Sequence, residues 1–167
     1  MNQVGLFEKV SLDQFKTDLK SLFDMNVIKV MYDRIQLPTR ATSGSAGYDF
    51  YLPYAIHLRP GETATIPTGI RVKIDDGWWL CCTPRSSLGF KSRMQLDNTI
   101  GVIDADYYYS DNEGHIFAKI TNDTNTGKPL VLDAGERFMQ GIFLPFGITD
   151  DDNATKIRSG GLGSTGK

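Results

Sequence analysis

The side chains best suited to chemistry gather in NTIGVIDADYYYSDNEGHIF, residues 98–117. Asp104 follows the apolar pair Val102-Ile103, in what reads as a hairpin that also carries Asn98, Asp106 and Tyr107. An unpaired carboxylate beside a buried residue is costly, whereas one ionised at neutral pH and held near a water is suited to general-base work. Asp106 fits a turn former equally well. Tyr107 offers a flat face for a sugar or base, or for the core. In TPRSSLGF (83–90), Arg85, Ser86 and Ser87 follow an apolar run; a guanidinium fork and two hydroxyls there suit a phosphate, although a serine before LGF is also a good helix N-cap. GERFMQGIFLPF adds Arg137 and Gln140, whose spacing of three does not put them on one strand face. SAGYDFYLP places Asp49 between aromatics, as an ion-pair partner for an arginine or as a reactive group. The end of the chain, IRSGGLGSTGK, combines Arg158 with glycines and the pair Ser164-Thr165. That composition describes a frayed tail or a lid whose backbone N–H groups meet an anion. His57 and His115 have no recognisable carboxylate or serine partner in the sequence and read as structural.

The elements that must position these groups are short. The first 25 residues read as one helix, with Leu12, Phe15, Leu19, Leu22 and Phe23 forming an apolar stripe and Ser11 with Gln14 a capping box. From Val27 onward the runs VIKVMY, TATIP, IRVKI, WWLCC, HIFAKI, LVL and MQGIFLPF alternate with Gly-, Asp- and Pro-rich turns, which predicts an all-β sandwich or barrel such as a jelly roll. SSLGFKSRM is the expected brief helix, and TDDDNAT at 149–155 reads as a flexible linker. With 167 residues the chain makes about one domain. A net charge of −2 excludes a general nucleic-acid or membrane-surface binder and makes any anion site local. Adjacent Cys81 and Cys82 suit neither an ordinary disulfide nor a metal site. No signal-peptide pattern opens the sequence and no apolar run approaches the ~20 residues of a bilayer span, so a soluble cytoplasmic protein is expected.

Taken in order, SAGYDF, PRSSLGF, NTIGVIDADYY, GERFMQ and GGLGSTG resemble the five ordered motifs of the homotrimeric dUTP pyrophosphatases (dUTPases) over roughly residues 37–167, and the extended loop after the third motif resembles the Gram-positive and phage form. The resemblance implies a jelly-roll subunit over 26–148, an N-terminal extension over 1–25 and a linker with a Gly-rich lid over 149–167. It implies a homotrimer with active sites at subunit boundaries, and hydrolysis of dUTP to dUMP and pyrophosphate, which limits uracil in DNA and supplies dUMP for dTMP synthesis. Carried over, Asp104 is the base that activates water against the α-phosphorus, and Tyr107 packs on deoxyribose and excludes a 2′-hydroxyl. Asn98 and the backbone at Gly101 read uracil. Arg85, Ser86, Ser87 and Gln140 contact phosphates, with Arg158, Gly163, Ser164 and Thr165 added from the lid. Leu162 stands where the common lid form has a phenylalanine that stacks on uracil. Asp49 and Arg137 support the site through one another. Mg²⁺ arrives with the phosphates and keeps several waters. The same motifs leave room for a dCTP deaminase relative, or for a nucleotide-gated regulator that binds a repressor if the chain is phage-encoded.

Overall fold

The computed structural model describes residues 2–156, 158 and 160. In chain order it comprises β1 (Gly5–Lys9), α1 (Leu12–Leu19), α2 (Met25–Arg34), β2 (Thr39–Arg40), β3 (Tyr48–Tyr51), β4 (Ile56–Leu58), β5 (Thr63–Pro67), β6 (Ile70–Ile74) and β7 (Trp78–Pro84). There follow α3 (Ser86–Ser92), β8 (Met94–Leu96), β9 (Gly101–Ile103), a 3₁₀ turn (Ala105–Tyr109), β10 (Phe117–Asn122), β11 (Leu130–Leu132) and β12 (Arg137–Pro145). The described residues are mostly β, with three short helices, and the architecture is a jelly roll. A five-stranded sheet runs β2-β3-β12-β7-β9, a three-stranded sheet β5-β10-β8, and two ribbons pair β1 with β6 and β4 with β11. Their inward residues, among them Phe50, Ile66, Leu80, Met94, Ile120 and Phe138, are fully buried and form one core. No helix among the described residues is long and apolar enough to cross a membrane.

The N-terminal region departs from the single expected helix. Residues 5–9 form a strand antiparallel to β6, because Phe7 points inward onto Tyr48, Phe50 and Phe143. Ser11 caps α1 as expected, its hydroxyl accepting from Gln14 N, but the reciprocal half of the box is absent: Gln14 turns to Asp18 and the Ser11 N–H goes to Glu113. Phe15 and Leu19 are buried, whereas Leu22 lies past the helix and is exposed. VIKVMY, expected as a strand, falls inside α2. Its β-branched residues suggested sheet, yet Ile28, Met31, Tyr32 and Ile35 recur at helical spacing, and they pack on Val10, Phe15 and Leu19 with Asp24 as the N-cap. The N-terminal elements are thus part of the folded body, joined to it by a ribbon and a second small core.

A second correction concerns residues 94–103. These are not a hairpin: β8 pairs with β10 and β9 with β7, so the connection 97–100 crosses from one sheet to another. Thr99, at φ 66°, makes the tight corner.

Candidate active site

Two groups of polar side chains stand out toward opposite ends of β7: one where β7 runs into α3 beside the start of β12, the other just past Ile103, which pairs with Leu80 near the beginning of β7. The first is built on Asp49 of β3, whose side chain is only 8% exposed and lies between Arg85 Nε at 2.9 Å and Arg137 Nη1 at 3.1 Å. Two guanidinium groups on one carboxylate satisfy its charge and fix both forks in place. Arg85 is itself the N-cap of α3, without a side-chain capping bond, so Ser86 and Ser87 begin the helix with exposed hydroxyls rather than capping it. The alternative reading of either serine as a cap is thereby excluded.

The spacing of Arg137 and Gln140 finds its explanation in a β-bulge. Arg137 opposes Tyr51 and Met139 opposes Phe50, so one residue of β12 is extra. An extra residue reverses the alternation of faces. Phe138 and Met139 are consequently both buried, and Gln140 opposes Asp49 directly. Residues three apart therefore share a face, together with Asp49. Gly47 completes the arrangement: a Cβ there would stand 2.5 Å from Gln140 Oε1, so only glycine leaves the amide its place.

The second group follows β9. Asp104 leaves the strand in extended conformation and begins the 3₁₀ turn, which carries Asp106 and Tyr107. Its carboxylate is 49% exposed rather than buried as its position after Ile103 suggested, because β9 is an edge strand only three residues long. Arg158 reaches back to this turn, donating from Nη2 to Asp104 Oδ2 at 2.6 Å and from Nε to Asp106 Oδ1 at 2.9 Å, with its guanidinium 5.6 Å from the Tyr107 ring. Expected at phosphates, Arg158 sits on carboxylates, since its fork matches either anion. Asp104 and Asp106 line a cleft of about 760 Å³ with Lys73, Asp75, Asp76 and Tyr109. Tyr107 is 5% exposed, and burial pushes its phenol above the ordinary range while the hydroxyl donates to the His115 carbonyl at 2.8 Å.

Asn98 lies exposed on the crossing connection and Gly101 opens β9, where a Cβ would meet Cys82 at 3.0 Å. Leu162, Gly163, Ser164 and Thr165 lie outside the described residues. Among the described residues no hydrogen bond or ion pair joins the Asp49–Arg85–Arg137 group to the Asp104 group. The thiols offer no nucleophile: burial, with Cys81 adjacent, pushes Cys82 up to about 12. His115 does have a carboxylate partner, Asp18 at 2.6 Å, which the sequence conceals because the two are 97 residues apart.

Comparison with known proteins gives one answer. The model that describes the dUTPase family matches residues 33–166. The deoxyuridine 5'-triphosphate nucleotidohydrolase of Lactococcus lactis is 44% identical over 135 residues, covering 79% of this chain and 89% of the relative. That of Paraburkholderia phytofirmans is 40% identical over 142 residues, covering 80% and 91%. Among solved structures, the dUTPase of Streptococcus mutans superposes with a TM-score of 0.65 at 36% identity, covering 86% of this chain and 98% of that one. A Staphylococcus bacteriophage 80alpha dUTPase with dUPNHPP reaches a TM-score of 0.66 at 20% identity, covering 95% and 92%, a likeness of fold. A family match over most of the chain and relatives at 40% identity or more along nearly their whole length point the same way: this chain is an enzyme of the dUTPase family.

Proposed function

We propose that the protein hydrolyses dUTP to dUMP and pyrophosphate, with Asp104 as the general base. The observation that carries this reading is the placement of Asp104 at the exit of β9, half exposed over a cleft and one 3₁₀ turn from Tyr107. Its carboxylate takes a proton from a water whose oxygen bonds to the α-phosphorus. The bond from that phosphorus to the bridging oxygen breaks, and pyrophosphate leaves with the electron pair. Arg85, Ser86, Ser87 and Gln140 hold the phosphates, with Arg158, Gly163, Ser164 and Thr165 closing from the C-terminal segment. Each charge-assisted hydrogen bond contributes about 1.5 to 3 kcal/mol, so a handful suffices for micromolar binding. Asp49 sets the two arginines, Asn98 and the Gly101 backbone read uracil, and the Tyr107 ring faces deoxyribose.

Among the described residues no group of three His, Cys, Asp or Glu side chains is placed to hold a metal ion, so Mg²⁺ would take its ligands from phosphate oxygens and water. When bound it supplies charge neutralisation to the leaving pyrophosphate. The unit is proposed to be a cytoplasmic homotrimer. Support comes from the separation of the two polar groups within one chain and from large apolar side chains left in water, with Phe90 91% and Ile148 74% exposed.

Pyrophosphate release with Mg²⁺ from dUTP, beside dTTP, dCTP and UTP, tests the reading. Release from dUTP alone, lost in Asp104→Asn, supports it. Ammonia from dCTP would replace it with deamination, and dUTP bound without cleavage would make the protein a nucleotide sensor.

A further inference from the structure

The N-terminal segment through α1 lies before residue 33, where the family match begins, yet it grips the loop that follows Asp104 at three points. The Tyr108 hydroxyl donates to Glu8 of β1 at 2.5 Å. Ser11 gives its backbone N–H and its hydroxyl to the two carboxylate oxygens of Glu113, at 2.7 and 2.6 Å. Asp18 of α1 meets His115 Nδ1 at 2.6 Å. His115 is fully buried and its Nε2 accepts from Gly69 N at 2.7 Å, so hydrogen sits on Nδ1 and Asp18 is its acceptor. The loop between these contacts is wound tightly. Glu113 adopts φ 59° and Gly114 φ 70°, and the left-handed region is one that a residue with a Cβ such as Glu113 avoids unless held there.

That loop is also the seat of Tyr107. Its hydroxyl donates to the His115 carbonyl at 2.8 Å and receives Asn112 Nδ2 at 3.0 Å. A continuous chain of contacts therefore runs from the Asp18 carboxylate through the His115 ring and backbone to the Tyr107 phenol, parallel to the clamp of Ser11 on Glu113. Excluding one hydroxyl group by contact with a ring needs that ring held to a fraction of an ångström, which is the task of a second layer of locked side chains.

We propose that α1 is the brace of sugar selection: through Asp18–His115 and Ser11–Glu113 it fixes the Tyr107 ring and so sets how strongly the site rejects a nucleotide with a 2′-hydroxyl. Asp18, His115, Ser11 and Glu113 are positioning residues, and the inference rests on the reading of Tyr107 as the residue that faces deoxyribose.

The experiment compares the full-length protein with Asp18→Ala, Asp18→Asn, Ser11→Ala and Tyr107→Ala, measuring kcat and KM for dUTP and UTP in competition. Asp18→Ala lowers the dUTP:UTP ratio of kcat/KM by about tenfold or more, chiefly through KM, a size typical of losing one close steric contact. Asp18→Asn, whose amide oxygen still accepts the Nδ1 hydrogen, keeps the ratio near wild type, an outcome that a general loss of stability would not produce. Should Asp18→Ala fail to fold, Ser11→Ala, at an exposed position, carries the test with a fall of about threefold in the same ratio. An unchanged ratio in the folded brace variants, with a lowered ratio in Tyr107→Ala, overturns the brace alone. An unchanged ratio in Tyr107→Ala overturns the reading of Tyr107 and the brace with it.

Discussion

At the scale of single residues, the site is an arrangement of charges that each find a partner before any nucleotide arrives. Asp104 is held by Arg158, and Asp49 by Arg85 and Arg137. In the proposed reaction a triphosphate competes for Arg85 and Arg158, and the carboxylate it frees at Asp104 takes the proton. Asp104→Asn keeps the shape and removes the base, so kcat for dUTP should fall by about 10² to 10⁴ with binding retained, read by pyrophosphate release beside isothermal titration. Asp49→Ala acts differently. Removing one partner of a fully buried ion pair costs about 3 to 5 kcal/mol, but Arg137 is nearly half exposed and can turn to water, so a loss of about 2 kcal/mol in denaturant unfolding is expected, together with a raised KM. Leu162 lies outside the described residues, and its prediction stands on side-chain chemistry. Leu162→Phe restores a ring for the uracil to stack on and should tighten dUTP by about 0.5 to 1.5 kcal/mol; unchanged affinity would remove the lid role from this position.

At the scale of elements, what could be read from the sequence was what repeats locally. TATIP, IRVKI, WWLCC, LVL and MQGIFLPF are strands as expected, and SSLGFKSRM contains α3. Wherever the deciding partner is distant, the sequence was silent. Phe7 makes β1 a strand by packing on Phe143, and the bulge in β12 that aligns Arg137 with Gln140 exists only relative to β3. The brace belongs to the same class, since Ser11 and Glu113 are 102 residues apart. It also has a titration signature. Burial works against the Asp18 charge, but the His115 and Gln14 donors outweigh it and hold the carboxyl below its ordinary range. Glu113 is likewise buried in part and is lowered by the Ser11 hydroxyl and N–H. A carboxyl depressed in the folded state adds stability above its unfolded value, near 4, and loses it as pH falls through the lower folded value. The melting temperatures of the wild type and Asp18→Asn should therefore differ at pH 6 and converge as pH drops below about 4. Gly114→Ala should be harsher at every pH, because its φ is +70° and a Cβ would stand 2.7 Å from the Tyr107 carbonyl oxygen.

At the scale of the whole molecule, the question is how two polar groups that do not touch within one chain make one site. Arg85 and Gln140 belong to the sheet end around Asp49, whereas Asp104 and Tyr107 belong to the turn after an edge strand. The proposed three-fold ring of identical contacts would solve this without lengthening the chain, because each boundary would bring the arginine end of one subunit to the carboxylate turn of the next. Phe90, left 91% exposed on α3 beside Arg85, gives such a boundary apolar surface to bury. The arrangement predicts complementation between two inactive proteins. Arg85→Ala subunits retain Asp104, and Asp104→Asn subunits retain Arg85. Unfolded together in equal amounts and refolded, they should give a random population of trimers in which about a quarter of all boundaries carry both native residues, provided each site draws Asp104 and Arg85 from different subunits. Recovery of about a quarter of wild-type turnover, with sedimentation giving three times the chain mass, would establish the shared site. Mixed trimers that stay inactive would place both residues in one subunit's site, and the turn after β9 would then have to swing toward Asp49 within a single chain.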